Sequence, residues 1–257
     1  MINSAVIIGS GNVATHLSVA LKNAGVHIAC VCSPNKTHAA ALAEKLGTNF
    51  VCNVHDINCD ADIFIFSVKD SILQSVINET RPSRSIWVHT SGSMAMDLFK
   101  GKTDRYGVIY PLQTFSKECN IDFRNVPLFI EGNDTETLQE VRKLAIRLSE
   151  NINEASSQQR KALHLSAVFA CNFVNHLYDI ASETLKTSNL PFSVLLPLIE
   201  ETAHKVKAMS PRKAQTGPAV RYDTNVISSH LALIENESIK NIYSLLSENI
   251  HKLNADK

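Results

Sequence analysis

The chain has 257 residues, of which 44% are hydrophobic and 19% charged, and its formal net charge is zero. This is the composition of an ordinary globular protein with enough apolar side chains for a sizeable core. The balanced charge argues against nucleic acid or an anionic membrane as a partner, because a surface that follows phosphates needs an excess of Lys and Arg.

The six cysteines are scattered, and Cys30 and Cys32 alternate along a predicted strand without a second pair of possible ligands. We therefore expect buried, reduced thiols rather than a metal site or a disulfide. The sequence shows neither a basic secretion leader nor an apolar run of membrane-spanning length. These features favour a cytoplasmic location and no bound metal.

The first predicted elements are a buried strand over residues 5–8, a helix over about 13–24 and a strand over 26–32. The loop between strand and helix is Gly9-Ser10-Gly11-Asn12-Val13-Ala14. In such a loop the first glycine permits a tight turn, and the second lets the backbone approach a pyrophosphate. The small third residue allows close helix packing, and the helix N-terminus attracts the phosphates. We therefore predict a dinucleotide site, the alternative being a tight turn without ligand; its expected contacts are Gly9, Ser10, Gly11, Asn12 and Val13.

Strands and helices continue to alternate as far as about residue 155. Such alternation predicts an α/β fold, with a doubly wound, parallel Rossmann domain over residues 1–155. The further strands are expected at 50–51, 63–66, 86–88, 108–110 and 128–130, and the helices at 35–46, 71–78, 96–99 and 134–149.

After residue 155 no strand-like run follows, and the pattern predicts an all-α domain over residues 156–257. Helices are expected at about 160–185, 191–209, 223–234 and 238–253. The first of these is apolar on most of its circumference, which is typical of a helix buried on several sides.

The residues after the second strand indicate which dinucleotide is bound. A site that prefers NAD places Asp or Glu there for the ribose 2′-hydroxyl, and this chain has none between Ser33 and Thr37. Ser33, Asn35 and Lys36 offer donors and a positive charge to a 2′-phosphate instead. We therefore predict NADP, the alternative being that these residues only cap and solvate the next helix.

Two further strand ends are expected to line the cofactor, because ligands bind at the carboxyl ends of parallel strands. One is Ser67-Val68-Lys69 and the other is His89-Thr90-Ser91. His89 has two possible roles, a catalytic group or a hydrogen-bonded residue of the core.

Polar residues in the apolar helix over 160–185 indicate a substrate site. At 100° per residue of a regular helix, four residues share about one third of the circumference: His164, Asn172, Asn175 and His176. Such groups face either a polar cleft or a satisfied helix–helix contact. A second polar segment runs from Gln215 to Asp223. Its Arg221 is suited to a substrate carboxylate or phosphate, or pairs with Asp223 as scaffolding.

The chain resembles a bacterial family that joins an NADP-binding Rossmann domain to a conserved C-terminal helical domain of unknown function. The stretches that carry the resemblance are His89 to Gly92, Tyr110 to Phe115, His164 to Tyr178, Pro197 to Lys205, and Gln215 to Asp223.

More distantly the chain is similar to pyrroline-5-carboxylate reductases, deazaflavin-dependent NADP reductases and the 6-phosphogluconate dehydrogenase superfamily. This resemblance implies a C-terminal domain like that of 6-phosphogluconate dehydrogenase, which closes over the nicotinamide and forms a homodimer. The chain lacks the lysine–asparagine pair of the β-hydroxyacid dehydrogenases, and His164 and Asn172 occupy that region at a different spacing.

These observations predict an NADP(H)-dependent reductase or dehydrogenase acting on a small carbonyl or imine compound in an interdomain cleft. His164 is the expected proton donor, since imidazole titrates near neutral pH. Asn172 and Asn175 would orient the substrate, and Arg221 would anchor an acidic group. Two alternatives remain open: a non-catalytic nucleotide sensor, and a protein that transfers hydride between NADP and a deazaflavin.

Overall fold

The structure is a computed structural model, and it describes residues 1–254. The chain divides into two compact units, Met1–Asn172 and Phe173–Lys257. The predicted domains cover residues 1–155 and 156–257, so the predicted boundary lies earlier in the chain than the division between the two units. That boundary stays a prediction.

The first unit is built on one eight-stranded sheet with the strand order β3-β2-β1-β4-β5-β6-β7-β8. The strands are β1 Ser4–Ile8, β2 His27–Cys32, β3 Asn49–Val51, β4 Ile63–Phe66, β5 Ile86–His89, β6 Tyr106–Pro111, β7 Leu128–Gly132 and β8 Ile152–Glu154. The helices are α1 Asn12–Asn23, α2 Lys36–Leu46, α3 Asp70–Glu79, α4 Thr135–Leu148 and α5 Ser157–Ala167.

The central strands β4 and β5 are buried along their whole length, which explains their continuous apolar runs. All strand pairs from β3 to β6 are parallel. The strand order reverses between β1 and β4, and a crevice forms at such a reversal beyond the carboxyl ends of the strands. The predicted Rossmann-like fold class is thereby confirmed.

One edge of the sheet departs from the predicted parallel arrangement, because β7 pairs antiparallel to β6. A parallel crossover needs a dozen or more residues, usually with a helix. The connection from β6 to β7, residues 112–127, is long enough for a crossover, but its one helical element is the short 3₁₀ turn Phe123–Asn125, so no helix carries the chain across the sheet. The three-residue β8 was not predicted, because Ile152, Asn153 and Glu154 carry no strand pattern of their own.

The described part of the second unit is helical, as predicted. Its helices are α6 Val174–Lys186, α7 Leu196–Ala208, α8 Pro211–Ala214, α9 Pro218–Arg221, α10 Thr224–Leu233 and α11 Glu237–Asn254. Ala219 is the one buried hydrophobic residue between 173 and 254.

The helix predicted over residues 160–185 differs from expectation in two respects. It consists of α5, a π-helical turn Val168–Phe173, and α6. Four of its large apolar side chains are exposed in the single chain, among them Phe169, 61% accessible, and Phe173, 50% accessible. The predicted burial on several sides is therefore wrong for one isolated chain.

All six cysteines are free, but only Cys30 and Cys32 are buried, so the expectation of buried thiols is wrong for the other four. The described residues contain no group of side chains suited to a metal ion. None of the helices within residues 1–254 combines the length and the apolar character that crossing a bilayer requires.

Candidate active site

The glycine loop begins at a position that only glycine can occupy. Gly9 has φ +122°, and a Cβ built there would lie 2.1 Å from the carbonyl oxygen of Ser67. Its N–H donates to the carbonyl oxygen of Cys32 at 2.8 Å. The loop therefore passes tightly between the ends of β2 and β4, as the predicted turn requires.

Gly11 is different, because a Cβ at this position would meet nothing within 4 Å. It is the N-cap of α1, it offers no side-chain cap, and the first turn of α1 has no acidic residue. The first N–H groups of a helix lack partners within the helix, and the helix dipole favours an anion there. The open backbone at Gly11 therefore fits the pyrophosphate of a dinucleotide.

The end of β2 is joined to this loop by a buried hydrogen bond, in which Ser10 Oγ donates to Ser33 Oγ at 2.8 Å. Asn35 caps α2 by accepting from the N–H of His38 at 3.0 Å, which is the structural role considered above. Its amide N–H groups and the exposed Lys36 still offer donors. This donor set, without a carboxylate, fits a ribose 2′-phosphate.

The ends of β4 and β5 are tied together by hydroxyl groups. Thr90 Oγ1 donates to Ser67 Oγ at 3.1 Å, and Ser93 Oγ donates to the Asp70 carboxylate. Val68 lies 3.4 Å from the position of a Cβ at Gly9. These residues thus form one continuous rim with the glycine loop.

At this rim, Lys69 precedes α3 and is exposed, whereas Ser91 is buried. Ser91 accepts hydrogen bonds at its Oγ from the N–H groups of Ser93 and Met94. Whether either residue touches a cofactor stays a prediction.

His89 is fully buried at the end of β5. Its Nδ1 accepts from the N–H of Ser91 at 3.2 Å, so its Nε2 carries the hydrogen and faces the carbonyl oxygen of Ala95 at 3.3 Å. Burial, followed by the positive charge of Arg160, lowers the pKa of His89 to about 4. These contacts favour the core alternative, in which a neutral imidazole holds the turn after β5.

Acid stability should reveal this buried neutral imidazole. The unfolded histidine binds a proton near its usual pKa of 6.5, whereas the folded one does so only near 4. The free energy of unfolding should therefore fall by about 3 kcal/mol as the pH drops through this interval. His89→Asn keeps an acceptor for Ser91 and should lack this part of the pH dependence. Urea unfolding of both proteins at pH 7, 5.5 and 4 measures it, and parallel curves would contradict the assignment.

A buried ion pair that the sequence did not reveal anchors the start of α5. Arg160 is 0% exposed and pairs with the carboxylate of Glu131 at the end of β7. Its guanidinium also donates to the carbonyl oxygens of Ser91, at 3.0 Å, and Met94. Glu131 accepts in turn from the backbone N–H and the hydroxyl of Ser157. Arg160 therefore fixes the loop after β5 on α5.

One turn further along α5, His164 meets the end of β6. The hydroxyl of Tyr110 lies 3.2 Å from His164 Nδ1, and the two rings meet edge to face with centroids 6.1 Å apart. Burial raises the pKa of Tyr110. A Cβ at Gly92 would lie 2.8 Å from both rings. His164 thus lies at the carboxyl ends of the parallel strands, as the predicted nucleotide loop does.

The other predicted substrate residues, Asn172, Asn175 and Arg221, are exposed. Asn172 belongs to the π-helical turn, so the regular 100° spacing that placed it with His164 and Asn175 does not hold through this segment. In the second unit, Asp223 caps α10 by accepting from the N–H of Val226 at 3.2 Å. Arg221 forms no ion pair with Asp223 within residues 1–254.

Sequence reasoning missed Arg160, Glu131 and Tyr110 as parts of the site. Tyr110 lies within a stretch that carries the family resemblance, which is the one signal that pointed toward it. Arg160 lies in the polar first turn of α5, and Glu131 follows the apolar run of β7. The two residues are 29 positions apart, so no local pattern shows that they pair.

The fold and this site are those of a Rossmann-type, dinucleotide-binding protein. A family model described as NADP oxidoreductase, coenzyme F420-dependent, matches residues 4–90, and a domain of unknown function, DUF2520, matches residues 126–250. No curated protein matches the chain.

Solved structures extend this likeness over almost the whole chain. A Bacteroides fragilis protein, provisionally described as an NADP oxidoreductase, is 44% identical over 98% of both chains, with a TM-score of 0.91. Pyrroline-5-carboxylate reductase from Streptococcus pyogenes is 15% identical over 98% of both chains, with a TM-score of 0.62. A reductive aminase from Aspergillus terreus, in complex with NADPH and ethyl-5-oxohexanoate, is 13% identical over 98% of both chains, with a TM-score of 0.74.

The chain therefore belongs to the NADP oxidoreductase family that the Bacteroides fragilis protein represents, with a DUF2520 region in its C-terminal half. The predicted family, the predicted cofactor NADP and the predicted class of enzyme, an NADP-dependent reductase or dehydrogenase, are confirmed at this level.

Proposed function

We propose that this protein is an NADPH-dependent reductase of a small imine or carbonyl compound. The observation that carries the proposal is the position of the Tyr110–His164 pair. It lies at the carboxyl ends of the parallel strands, where the glycine loop leads into α1 and no side chain caps that helix. Bound NADPH supplies a hydride to the substrate carbon. The protein's own task is to hold the cofactor, orient the substrate and provide a proton.

The proposed cofactor contacts follow the rim described above. The backbone at Gly9, Ser10, Gly11 and Val13 would hold the pyrophosphate at the N-terminus of α1. The side chain of Asn12 instead donates to the carbonyl oxygen of Phe115 at 2.7 Å, which would leave only its backbone for the cofactor. The 2′-phosphate would contact Ser33, Asn35 and Lys36, while the nicotinamide half would lie along Ser67, Val68, Lys69 and Ser91.

His164 is the proposed proton donor, because its Nε2 is left for a substrate when Nδ1 faces Tyr110. The substrate class is supported by the reductive aminase, which was solved with NADPH and a keto ester, although that likeness is one of fold alone. Asn172, Asn175 and Arg221 remain proposed substrate contacts. A cytoplasmic location and a cleft between domains likewise stay predictions from the sequence.

Two measurements test this proposal. Calorimetric titration should give tighter binding of NADPH than of NADH, because the segment after β2 offers hydrogen-bond donors and no carboxylate to a 2′-phosphate. NADPH oxidation is then followed with a panel of cyclic imines and of ketone–amine mixtures. His164→Ala should lower turnover about 100-fold or more while retaining NADPH affinity. No binding of either cofactor, or full turnover by the variant, would contradict the respective assignment.

We also propose a homodimer formed through the helical domain predicted over residues 156–257. Leu165, Phe169, Phe173 and Leu177 recur every fourth residue and are all exposed in the single chain. An exposed apolar surface of this length is typical of an interface, and a second copy is the partner always available at equal concentration. Light scattering at micromolar concentration should give twice the mass of the chain. A monomer there would contradict the proposal, and Phe169→Glu should convert dimer to monomer.

A further inference from the structure

We propose that Tyr110 is a positioning residue that occupies Nδ1 of His164 and thereby makes Nε2 the nitrogen that exchanges protons with the substrate. This inference deepens the proposed function and rests on it. It assigns to Tyr110 a task separate from binding either the cofactor or the substrate.

The hydrogen bond between the two side chains has a preferred direction. Tyr110 is 8% exposed, and its hydroxyl finds its partner at His164 Nδ1, 3.2 Å away. A buried hydroxyl that only accepts would leave its own O–H without a partner, at a cost of about 1–3 kcal/mol. The hydroxyl should therefore donate to Nδ1 whenever the imidazole is neutral, so that the ring hydrogen lies on Nε2.

The packing of Gly92 against the pair restricts rotation of the His164 ring. Gly92 lies so close that a Cβ would come within 2.8 Å of His164 Cγ and Nδ1 and of Tyr110 Cζ. Arg160 binds the carbonyl oxygens of Ser91 and Met94, on either side of Gly92. The backbone against which both rings pack is thus itself held in place.

Tyr110 is suited to orient the imidazole rather than to supply the proton. Its burial raises its pKa, so a phenolate near neutral pH is disfavoured. When the imidazole is protonated, both nitrogens carry hydrogen, and the Tyr110 oxygen accepts from Nδ1–H. During reduction the Nε2–H bond of the protonated ring breaks, and its proton passes to the substrate nitrogen or oxygen. The ring is then neutral with its hydrogen on Nδ1; uptake of a solvent proton at Nε2 and loss of the Nδ1 proton return it to the favoured tautomer, in which Tyr110 donates.

The chain offers a matched control in a second tyrosine–histidine pair. In the helical unit, the hydroxyl of Tyr243 lies 2.8 Å from Nδ1 of His230, with rings 5.8 Å apart at 82°. His230 is exposed, and the proposed site does not use this pair. Tyr243→Phe therefore removes the same kind of hydrogen bond elsewhere in the molecule.

Nitrogen-15 NMR of the imidazole ring tests the inference without any substrate. The His164 signals are assigned by their loss in His164→Gln. In the neutral wild-type ring the hydrogen should lie on Nε2, and Tyr110→Phe should shift the signals toward a mixture of both tautomers. Tyr243→Phe should leave the His164 signals unchanged. A hydrogen on Nδ1 in the wild type, or an unchanged tautomer in Tyr110→Phe, would overturn the proposal.

Kinetics then separate this role from the proposed function itself. With any substrate that the wild type reduces, Tyr110→Phe should lower kcat about 10- to 100-fold while the affinity for NADPH stays within about twofold. An unchanged kcat would overturn the role of Tyr110 even where NADPH binding and turnover support the reductase. Conversely, absence of NADPH binding would reject the reductase, while the tautomer measured by NMR would still report on the pair.

Discussion

Gly11→Asp is expected to weaken NADPH binding about 100-fold and, at the same time, to make the fold slightly more stable. Gly11 has the extended backbone of an N-cap, with φ −78° and ψ −171°, and a side chain there meets no neighbour. Aspartate is a good N-cap and complements the helix dipole, so the free energy of unfolding should rise by about 0.5 kcal/mol. Its carboxylate would occupy the N–H groups that the pyrophosphate needs. Repulsion should weaken NADPH binding by about 3 kcal/mol, or 100-fold.

Calorimetry with NADPH and urea unfolding together measure this opposite response. Gly11→Ser is the control, since it caps α1 without adding charge and should lose much less affinity. Gly9→Ala supplies the contrasting case, because its Cβ would strike the Ser67 carbonyl and destabilise the fold outright. Unchanged NADPH affinity in Gly11→Asp would show that the pyrophosphate does not bind at this helix.

Arg160→Met is expected to cause a large loss of stability. The substitution leaves the Glu131 carboxylate, 13% exposed, without its ion-pair partner, and the carbonyl oxygens of Ser91 and Met94 without their donor. Breaking a buried pair in this way costs about 3–5 kcal/mol. Because the loop that carries Gly92 is released, His164 should also lose its fixed orientation, and turnover should fall further than stability alone explains.

A second ion pair provides the comparison for this variant. Arg124 and Glu150 lie 2.7 Å apart but are 63% and 66% exposed, so Arg124→Met should change the urea midpoint far less. The double variant Arg160→Met, Glu131→Gln removes the stranded charge and should recover part of the lost stability. Equal midpoints for Arg160→Met and Arg124→Met would contradict the role assigned to the buried pair.

The parts of this fold that were predicted correctly depend on short-range patterns. The glycine loop, the strands over 63–66 and 86–88, and the amphipathic α4 each follow from residues a few positions apart. The antiparallel direction of β7 was not predicted, because it depends on the absence of a helix between β6 and β7. The composition of that connection did not indicate this absence.

In the candidate site, the contacts between residues distant in sequence could not be predicted. Arg160 meets Glu131 through the fold, and the π-helical turn that contains Asn172 has no established sequence signal. The exposure of Phe169 likewise could not be foreseen, because an apolar helix has the same pattern whether its cover is its own chain or another. None of these features has a local sequence pattern from which it could be predicted.

The sparse burial in the helical unit makes protein concentration a variable of stability. A unit in which Ala219 is the one buried hydrophobic residue between 173 and 254 cannot by itself offset the conformational entropy of ordering its helices. In the proposed homodimer, association supplies the missing apolar contacts, so folding of this unit obeys mass action. Its thermal midpoint should rise with protein concentration, and dilution alone should unfold it.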